Sequence, residues 1–301
     1  MARQRKTLLA LAMAGALTLA ACGNGADGND GADGEGNGET LVVGSQDYYS
    51  NEIIAELYAQ ALEKAGYTVE RDFRIGQREV YMPEIEAGNI DVFPEYTGNL
   101  LQYLDPETTE TAEDDVYEAL GDAMPEGLRV LDQSDASDQD SFVVTKAFAD
   151  EHSLQSIGDL ANVEGVTLGG NSELEKRPYG PQGLQSVYGV TVDFTPIEDS
   201  GGPLTLKALR DGDVEVVNIY TADPVLAEGD LVRLEDPEGL LLASHVVPVV
   251  SEKVDDEAAE VINEVSDALS AEDLVALNAK SVNEEAPAST IAADWLAEQD
   301  F

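Results

Sequence analysis

Cysteine, histidine and tryptophan are scarce in this chain of 301 residues, which contains one cysteine, two histidines and one tryptophan. With Cys22 as the single thiol, no disulfide can form within the chain and no cysteine-based catalytic site is indicated. His152 and His245 are far apart in the sequence and lack the spacing of metal ligands. The sequence also holds no nucleophile elbow, Walker loop or zinc-protease motif. We therefore expect no metal, no cofactor and no enzymatic turnover.

Basic residues are also few. The chain has 16 lysines and arginines against 61 aspartates and glutamates, which gives a formal net charge of -45. Such a charge argues against a nucleic-acid partner and against binding to an anionic membrane through basic patches. Because the acids are spread along the chain, they favour a highly solvated surface over a role in recruiting cations.

The N-terminus predicts export and lipid attachment. Residues 1–21 are interpreted as a signal peptide, because three basic residues precede an apolar run that is too short for a comfortable bilayer span. The run ends in Leu-Ala-Ala-Cys22, which resembles the bacterial lipobox, where cleavage before the cysteine leaves its thiol to be lipidated. The alternative is an ordinary signal peptide with an incidental cysteine. Residues 22–39 are rich in Gly, Asn and Asp and predict a flexible tether.

One thirteen-residue pattern occurs twice, at residues 85–97 and at residues 209–221. Each copy predicts the end of a helix, a glycine that stops it, a short apolar strand, and a Tyr-Thr pair that begins eight residues after the glycine. Tyr96 and Tyr220 therefore lie at the carboxyl ends of strands, the edge at which open α/β sheets bind ligands. The pattern predicts two similar α/β lobes that each present one tyrosine to a shared cleft.

The lobes are assigned from the order of predicted elements. Residues 40–139 and 244–301 form lobe I in this interpretation, and residues 140–243 form lobe II. Three amphipathic helices near the C-terminus are placed on lobe I. The polar run at 132–140 is interpreted as a crossing between the lobes.

Three local predictions are more specific. A helical pattern covers residues 105–122, and Gly169-Gly170 is placed in a turn after a strand. A strand at 245–250 contains Pro248, which predicts either the edge of a sheet or the crossing back to the first lobe.

Aromatic residues stand out at the predicted loops and strand ends. Electron-rich ring faces attract quaternary ammonium groups, whose charge is spread over methyls that cannot hydrogen-bond. Three or four rings could therefore hold a trimethylammonium group, although half-buried packing is the alternative for any single ring. Arg177 is a candidate partner for a ligand carboxylate, and a surface ion pair is its alternative. The aromatic candidates are Tyr48, Tyr49, Tyr96, Phe142, Tyr179 and Tyr220.

Several segments resemble the substrate-binding proteins of ABC importers for glycine betaine, choline, carnitine and related osmoprotectants. They include LVVGS at 41–45, ELYAQALEKAGY at 56–67, GNIDVFPEYTG at 88–98 and RPYG at 177–180. The resemblance implies a type II periplasmic-binding-protein fold, in which two α/β lobes joined by a hinge close on a ligand and deliver it to a membrane permease. It also implies an aromatic cage from Tyr96, Phe142 and Tyr220, with Asp140 beside the cage and Arg177 on the ligand carboxylate.

The chain departs from this family at three places. Gln46 stands where the family usually has a lysine that contacts the carboxylate, and Asn99 replaces a common threonine. Ser244 and His245 stand where the family usually shows Tyr-Asn, so that one wall of the cage is changed. Tyr48, Tyr49 or Tyr179 could offset these changes, or the changes could mark a different ligand.

The combined prediction is a monomeric solute-binding lipoprotein on the extracytoplasmic face of the cell membrane. It captures a quaternary ammonium or betaine-type osmoprotectant and delivers it to an ABC permease. The alternatives are another small polar solute bound by the same scaffold, and an extracytoplasmic sensor.

Overall fold

The computed structural model describes residues 40–299 and residue 301, so the predicted signal peptide, the tether and Cys22 lie outside the described residues. The strands are β1 (Leu41–Gly44), β2 (Val69–Asp72), β3 (Val92–Tyr96), β4 (Leu128–Val130), β5 (Asp140–Thr145), β6 (Thr167–Gly170), β7 (Asp193–Pro196), β8 (Val216–Tyr220), β9 (Leu231–Arg233) and β10 (Val246–Ser251). The helices are α1 (Tyr49–Lys64), α2 (Arg78–Glu86), α3 (Thr97–Leu104), α4 (Glu113–Ala123), α5 (Lys146–His152), α6 (Pro181–Gly183), α7 (Pro203–Asp211), α8 (Asp256–Ala268), α9 (Ala271–Glu284) and α10 (Ala288–Glu298).

The strands form two five-stranded sheets of the same topology. The first has the order β2-β1-β3-β10-β4 and the second has the order β7-β6-β8-β5-β9. In each sheet the first three strands are parallel, and the fourth strand runs antiparallel to both of its neighbours. That fourth strand enters from the other sheet, so the chain crosses between sheets at residues 131–139 and at residues 234–245.

The register places the two repeated tyrosines at equivalent positions. Tyr96, the last residue of β3, lies opposite Val246, the first residue of β10. Tyr220, the last residue of β8, lies opposite Asp140, the first residue of β5. Both tyrosines therefore stand where a crossing strand enters a sheet.

Helix α1 follows from its sequence pattern. Its predicted apolar face, Ile53 and Ile54 with Leu57, Ala61 and Leu62, is buried in a core shared with α8, α9 and α10. The glycines that end the repeated helices adopt the expected left-handed backbone, with φ of +73° at Gly88 and +75° at Gly212. The placement of the C-terminal helices against the first sheet agrees with their amphipathic pattern.

Two local predictions were wrong. Residues 105–112 are not helical, because the pattern of buried side chains begins only in α4, at Val116 and Leu120, while Pro106 breaks the preceding chain. Gly169 and Gly170 belong to β6 rather than to a turn. A side chain at Gly170 would come within 2.8 Å of Leu174, so the glycine serves close packing.

Strand β10 is the crossing strand and not an edge strand, since it lies between β3 and β4. Pro248 faces Pro94 of β3. His245 accepts a hydrogen bond of 3.0 Å from the Thr97 N–H, and hydrogen-bonded pairs alternate along an antiparallel ladder. The two prolines therefore meet at a position where the β3-β10 ladder needs no N–H from either.

A buried ion pair lies under β3. Arg78 donates to both carboxylate oxygens of Glu95, at 2.7 Å and 2.8 Å, and both side chains are almost fully buried. The Tyr81 hydroxyl donates to the same carboxylate at 2.6 Å, and the Tyr96 N–H donates to it at 2.9 Å. Glu95 thus fixes the backbone of the neighbouring Tyr96.

We expect E95Q to lower the free energy of unfolding by about 3–5 kcal/mol, because the substitution leaves the Arg78 charge buried without its counter-ion. Urea unfolding followed by circular dichroism would measure the change. K146A, which removes an exposed pair with Asp150, should change the free energy by less than about 1 kcal/mol. Equal losses of unfolding free energy in E95Q and K146A would contradict a stabilising role for the buried pair of Arg78 and Glu95.

Candidate functional site

Three tyrosine rings meet between the two sheets. Tyr48 directly precedes α1, and its ring stacks on the ring of Tyr220 with centroids 4.8 Å apart and planes inclined by 27°. The Tyr48 hydroxyl donates to the Tyr96 hydroxyl at 2.5 Å. Tyr49 meets Tyr48 edge to face at 6.5 Å. The structure therefore brings together aromatic residues that are far apart in the sequence, at the edge where the repeat predicts a ligand.

These phenols are neutral at physiological pH. Burial, followed by nearby acidic and phenolic groups, raises the pKa of Tyr48, Tyr96 and Tyr220 well above the ordinary value of 10. Neutral rings present their electron-rich faces without a formal charge. Such a cluster can hold a cation through its ring quadrupoles.

The threonine of each Tyr-Thr pair clamps the crossing chain. The Thr97 N–H donates to the His245 carbonyl at 3.0 Å, and the Thr97 hydroxyl accepts from the His245 N–H at 3.0 Å. Thr221 makes the same two bonds with Gln139, both at 2.9 Å. The threonines of the repeat therefore have a structural role, because each holds the residue that precedes a crossing strand. The repeat also places the two tyrosines beside the hinge.

Gly98, the last residue of the PEYTG segment at 94–98, allows close packing. A Cβ at this position would lie 2.5 Å from the Ala243 carbonyl oxygen, which belongs to the second crossing. Only glycine lets α3 approach the crossing backbone this closely. Every residue from Glu95 to Gly98 thus serves the ion pair, the ring cluster, the clamp or this contact.

Asn99 links the two lobes. Its amide nitrogen donates to an Asp140 carboxylate oxygen at 2.5 Å and to the Tyr179 hydroxyl at 3.1 Å. Ser244 holds the amide from the other side, because its hydroxyl donates to the Asn99 oxygen at 2.8 Å. The other carboxylate oxygen of Asp140 is buried and has no hydrogen-bond partner among the described residues.

Arg177 is engaged across the cleft. Its guanidinium contacts both Glu79 carboxylate oxygens, at 3.2 Å and 3.4 Å, and donates to the Gln77 side-chain oxygen at 3.1 Å. It also donates to the Tyr179 hydroxyl at 3.2 Å. Burial alone would raise the pKa of Glu79, but the Arg177 charge beside it brings that pKa below the ordinary value. Arg177 and Glu79 thus form an ion pair between the lobes, with side chains that are 13% and 39% exposed.

Gln46 lies at the end of β1 beside this cluster. Its N–H donates to the Asn51 side-chain oxygen at 2.8 Å, and the Asn51 amide lies 3.4 Å from the Tyr96 hydroxyl. The side-chain nitrogen of Gln46 is buried and has no acceptor among the described residues. Among the described residues, the buried side-chain nitrogen of Gln46 thus lacks an acceptor and one buried oxygen of Asp140 lacks a donor.

Two predicted wall residues lie away from the ring cluster. Phe142 has no exposed surface and belongs to the buried core of the second lobe, in the same cluster as Tyr179. The His245 ring contacts the Ser134 carbonyl at 2.9 Å and Glu113 at 3.3 Å. The sequence offered three tyrosines that could compensate for the changed wall of the cage. Of these, Tyr48 is the residue whose ring stacks on Tyr220.

Sequence reasoning missed Asp138, which joins three parts of the molecule. This carboxylate accepts from the Ser50 hydroxyl and from the Ala222 N–H, both at 2.9 Å. Asn278 of α9 donates to the Ser50 hydroxyl and to the Ala222 carbonyl, both at 3.1 Å. Burial raises the pKa of Asp138 from 3.8 to about 7, although its hydrogen bonds oppose the shift. Asp138 lies in a polar segment of the sequence, and such a segment does not indicate that one of its acids is buried.

Two cavities are lined by residues of this region. One of about 460 Å³ is lined by Asn99, Arg177 and Tyr179, and another of about 400 Å³ by Tyr48, Tyr49 and Asp223. Both volumes suit a small solute. Within residues 40–299 and 301, no group of three or more His, Cys, Asp or Glu side chains is placed to hold a metal ion.

We expect the stability of the protein to depend on pH through Asp138. Because the folded state binds this proton more tightly than the unfolded chain, the contribution is complete below about pH 4 and is lost as the pH rises through about 7. The stability of D138N relative to the wild type should therefore increase between about pH 4 and pH 7, by up to about 1.4 kcal/mol per pH unit, and then level off. Urea unfolding at several pH values would measure it.

D135N is the control, since it changes an exposed carboxylate in the same crossing. Its stability difference from the wild type should stay constant over this range. A constant difference for D138N would contradict the prediction.

Comparison with known proteins confirms the resemblance seen in the sequence. Residues 39–298 match the family described as the substrate binding domain of ABC-type glycine betaine transport systems. The glycine betaine-binding protein YehZ of Escherichia coli K12 is 26% identical over 277 residues, which cover 87% of this chain and 91% of that protein. A glycine-betaine-binding protein of Pseudomonas aeruginosa PAO1 is 26% identical over 283 residues, which cover 89% and 90%.

The fold is also shared with solved structures. A crystal structure of a glycine betaine/carnitine/choline ABC transporter superposes with a TM-score of 0.68 at 18% identity, covering 88% of this chain and 99% of that one. This agreement confirms the type II periplasmic-binding-protein fold with two α/β lobes. On the match that spans residues 39–298, the chain belongs to the family of substrate-binding domains of ABC-type glycine betaine transport systems.

Proposed function

We propose that this protein captures a quaternary ammonium solute in the cleft between its lobes and delivers it to an ABC permease. The observation that carries the proposal is the meeting of Tyr48, Tyr96 and Tyr220 at the strand ends of both sheets. The names of the relatives, which bind glycine betaine, support the same class of solute. The protein acts by binding and release, without turnover and without a cofactor.

Binding requires the lobes to open. Tyr48 belongs to the first lobe and Tyr220 to the second, and their centroids are 4.8 Å apart, which leaves no room for a trimethylammonium group. The ammonium enters when the lobes separate, and closure then places ring faces around it. Each ring contributes on the order of 0.5–2 kcal/mol, most where water is excluded.

The polar side chains of the cleft orient the rest of the solute. Asp140, Asn99, Gln46 and Arg177 face it, and Ser244 holds the Asn99 amide. Two further residues act from outside the cluster. Phe142 packs beneath the cleft, and His245 is held in the hinge clamp.

The remaining assignments concern the ends of the chain and its organisation. We assign residues 40–139 and 244–301 to lobe I and residues 140–243 to lobe II, with the hinge at the crossings. Cleavage before Cys22 and lipidation of its thiol would hold a monomeric protein on the extracytoplasmic face of the cell membrane, with residues 22–39 as the tether. No helix of the described residues is both long enough and apolar enough to cross a membrane.

Y96A and Y220A should each weaken binding of the solute at least tenfold, because each removes a ring face from the cation. Isothermal titration with a panel of methylated ammonium compounds would measure it. Y96F and Y220F keep the rings and should retain affinity within about threefold, and thermal unfolding would confirm that every variant folds. Wild-type affinity in both alanine variants would refute the cage.

C22A should release the protein from the membrane fraction into the soluble fraction, since the lipid needs the cysteine thiol. Fractionation of expressing cells and metabolic labelling with a palmitate analogue would show the change. The control S45A leaves the N-terminus intact and should stay with the membrane. Retention and labelling of C22A would contradict the anchor.

A further inference from the structure

We infer that the cleft selects a quaternary ammonium with a net positive charge and a hydroxyl group, of which choline is the simplest, over zwitterionic betaines that carry a carboxylate. This inference rests on the proposed function and narrows its ligand class. The deciding features are the pairing of Arg177 with Glu79 and the unpartnered carboxylate oxygen of Asp140.

The guanidinium that would hold a carboxylate already holds one from the protein. Arg177 contacts both oxygens of Glu79 in a fork geometry, with the arginine side chain 13% exposed. A ligand carboxylate would have to compete for this guanidinium with Glu79, whose side chain is 39% exposed. Such competition lowers the gain that a zwitterion obtains from Arg177.

The other buried arginine of this region is also neutralised. Arg78 lines the same cavity as Arg177, but it makes two hydrogen bonds to Glu95. Gln46 lies at the end of β1 with a neutral amide in place of a cation. The inner cleft thus offers no uncommitted positive charge at these three positions.

The acids around the rings favour a cation. Asp140 lies opposite Tyr220 in the sheet register and is 4% exposed, and Asp223 accepts a hydrogen bond from the Tyr49 hydroxyl at 3.1 Å. After burial, Asp140 is the largest cause that raises the pKa of Tyr220, and Asp223 is the largest for Tyr49. These two negative charges beside the rings attract a cation and repel a carboxylate.

The unpartnered oxygen of Asp140 matches a hydroxyl. This buried oxygen belongs to the residue opposite Tyr220 in the sheet and needs a donor. A hydroxyl can both accept and donate, whereas a carboxylate can only accept. A carboxylate would leave the Asp140 oxygen unsatisfied and would add repulsion to it, so an alcohol satisfies the cleft better.

The test compares choline with glycine betaine, which differ in a hydroxymethyl group against a carboxylate, by isothermal titration of the full-length protein. We expect the wild type to bind choline at least tenfold more tightly. E79Q frees Arg177 and should tighten glycine betaine binding at least fivefold, while choline affinity stays within threefold. The control E175Q removes the same charge from an exposed position two residues before Arg177 and should leave the ratio unchanged.

Each outcome decides a different point. Glycine betaine binding as tight as choline in the wild type would overturn this inference and leave the proposed function standing. An unchanged ratio in E79Q would overturn the role of Glu79. Absence of binding by choline, glycine betaine, carnitine and proline betaine would overturn the proposed function and this inference together.

Discussion

The architecture depends on how each crossing strand is held where it enters a sheet. Thr97 and Thr221 use the same pair of backbone and hydroxyl bonds to hold His245 and Gln139. Because the preceding residue in each case is the tyrosine at the end of a parallel strand, the clamp that joins the lobes also positions Tyr96 and Tyr220. Hinge and binding surface are therefore built from adjacent residues. A rotation of the lobes about the hinge changes the positions of the tyrosine rings.

The fold was largely predictable because its signals are local. The glycine stops, the apolar strands and the amphipathic helices each follow from periodicity within one segment, and the repeat revealed the two lobes. The prediction of a helix at residues 105–122 was right from residue 113 onward and wrong for residues 105–112, where the acidic composition suits a helix but no buried face forms. The sequence could not decide whether β10 is an edge strand or the crossing strand. Pro248 is tolerated inside the sheet because it faces Pro94, and that partner is distant in the sequence.

The site was predictable only in part. Tyr96 and Tyr220 were found through the repeat, and Arg177 through its motif. Asp138 and Glu79 were missed for a physical reason, since each is one acid among 61. The role of each is set by contacts with residues far away in the sequence, which are Ser50 and Ala222 for Asp138 and Arg177 for Glu79. Composition and spacing carry no information about such tertiary neighbours.

The stack of Tyr48 on Tyr220 has a consequence for affinity. In this conformation the rings of Tyr48 and Tyr220 cover each other's faces, so a solute reaches them only after the lobes separate. Only the open fraction of molecules can admit solute, and the apparent dissociation constant rises by the inverse of that fraction. Hydrogen bonds between the lobes, such as Tyr49 with Asp223 and Gln77 with Ser200, therefore help to set the open fraction and with it the apparent dissociation constant. Evolution can tune uptake to the supply of solute by altering contacts that the solute never touches.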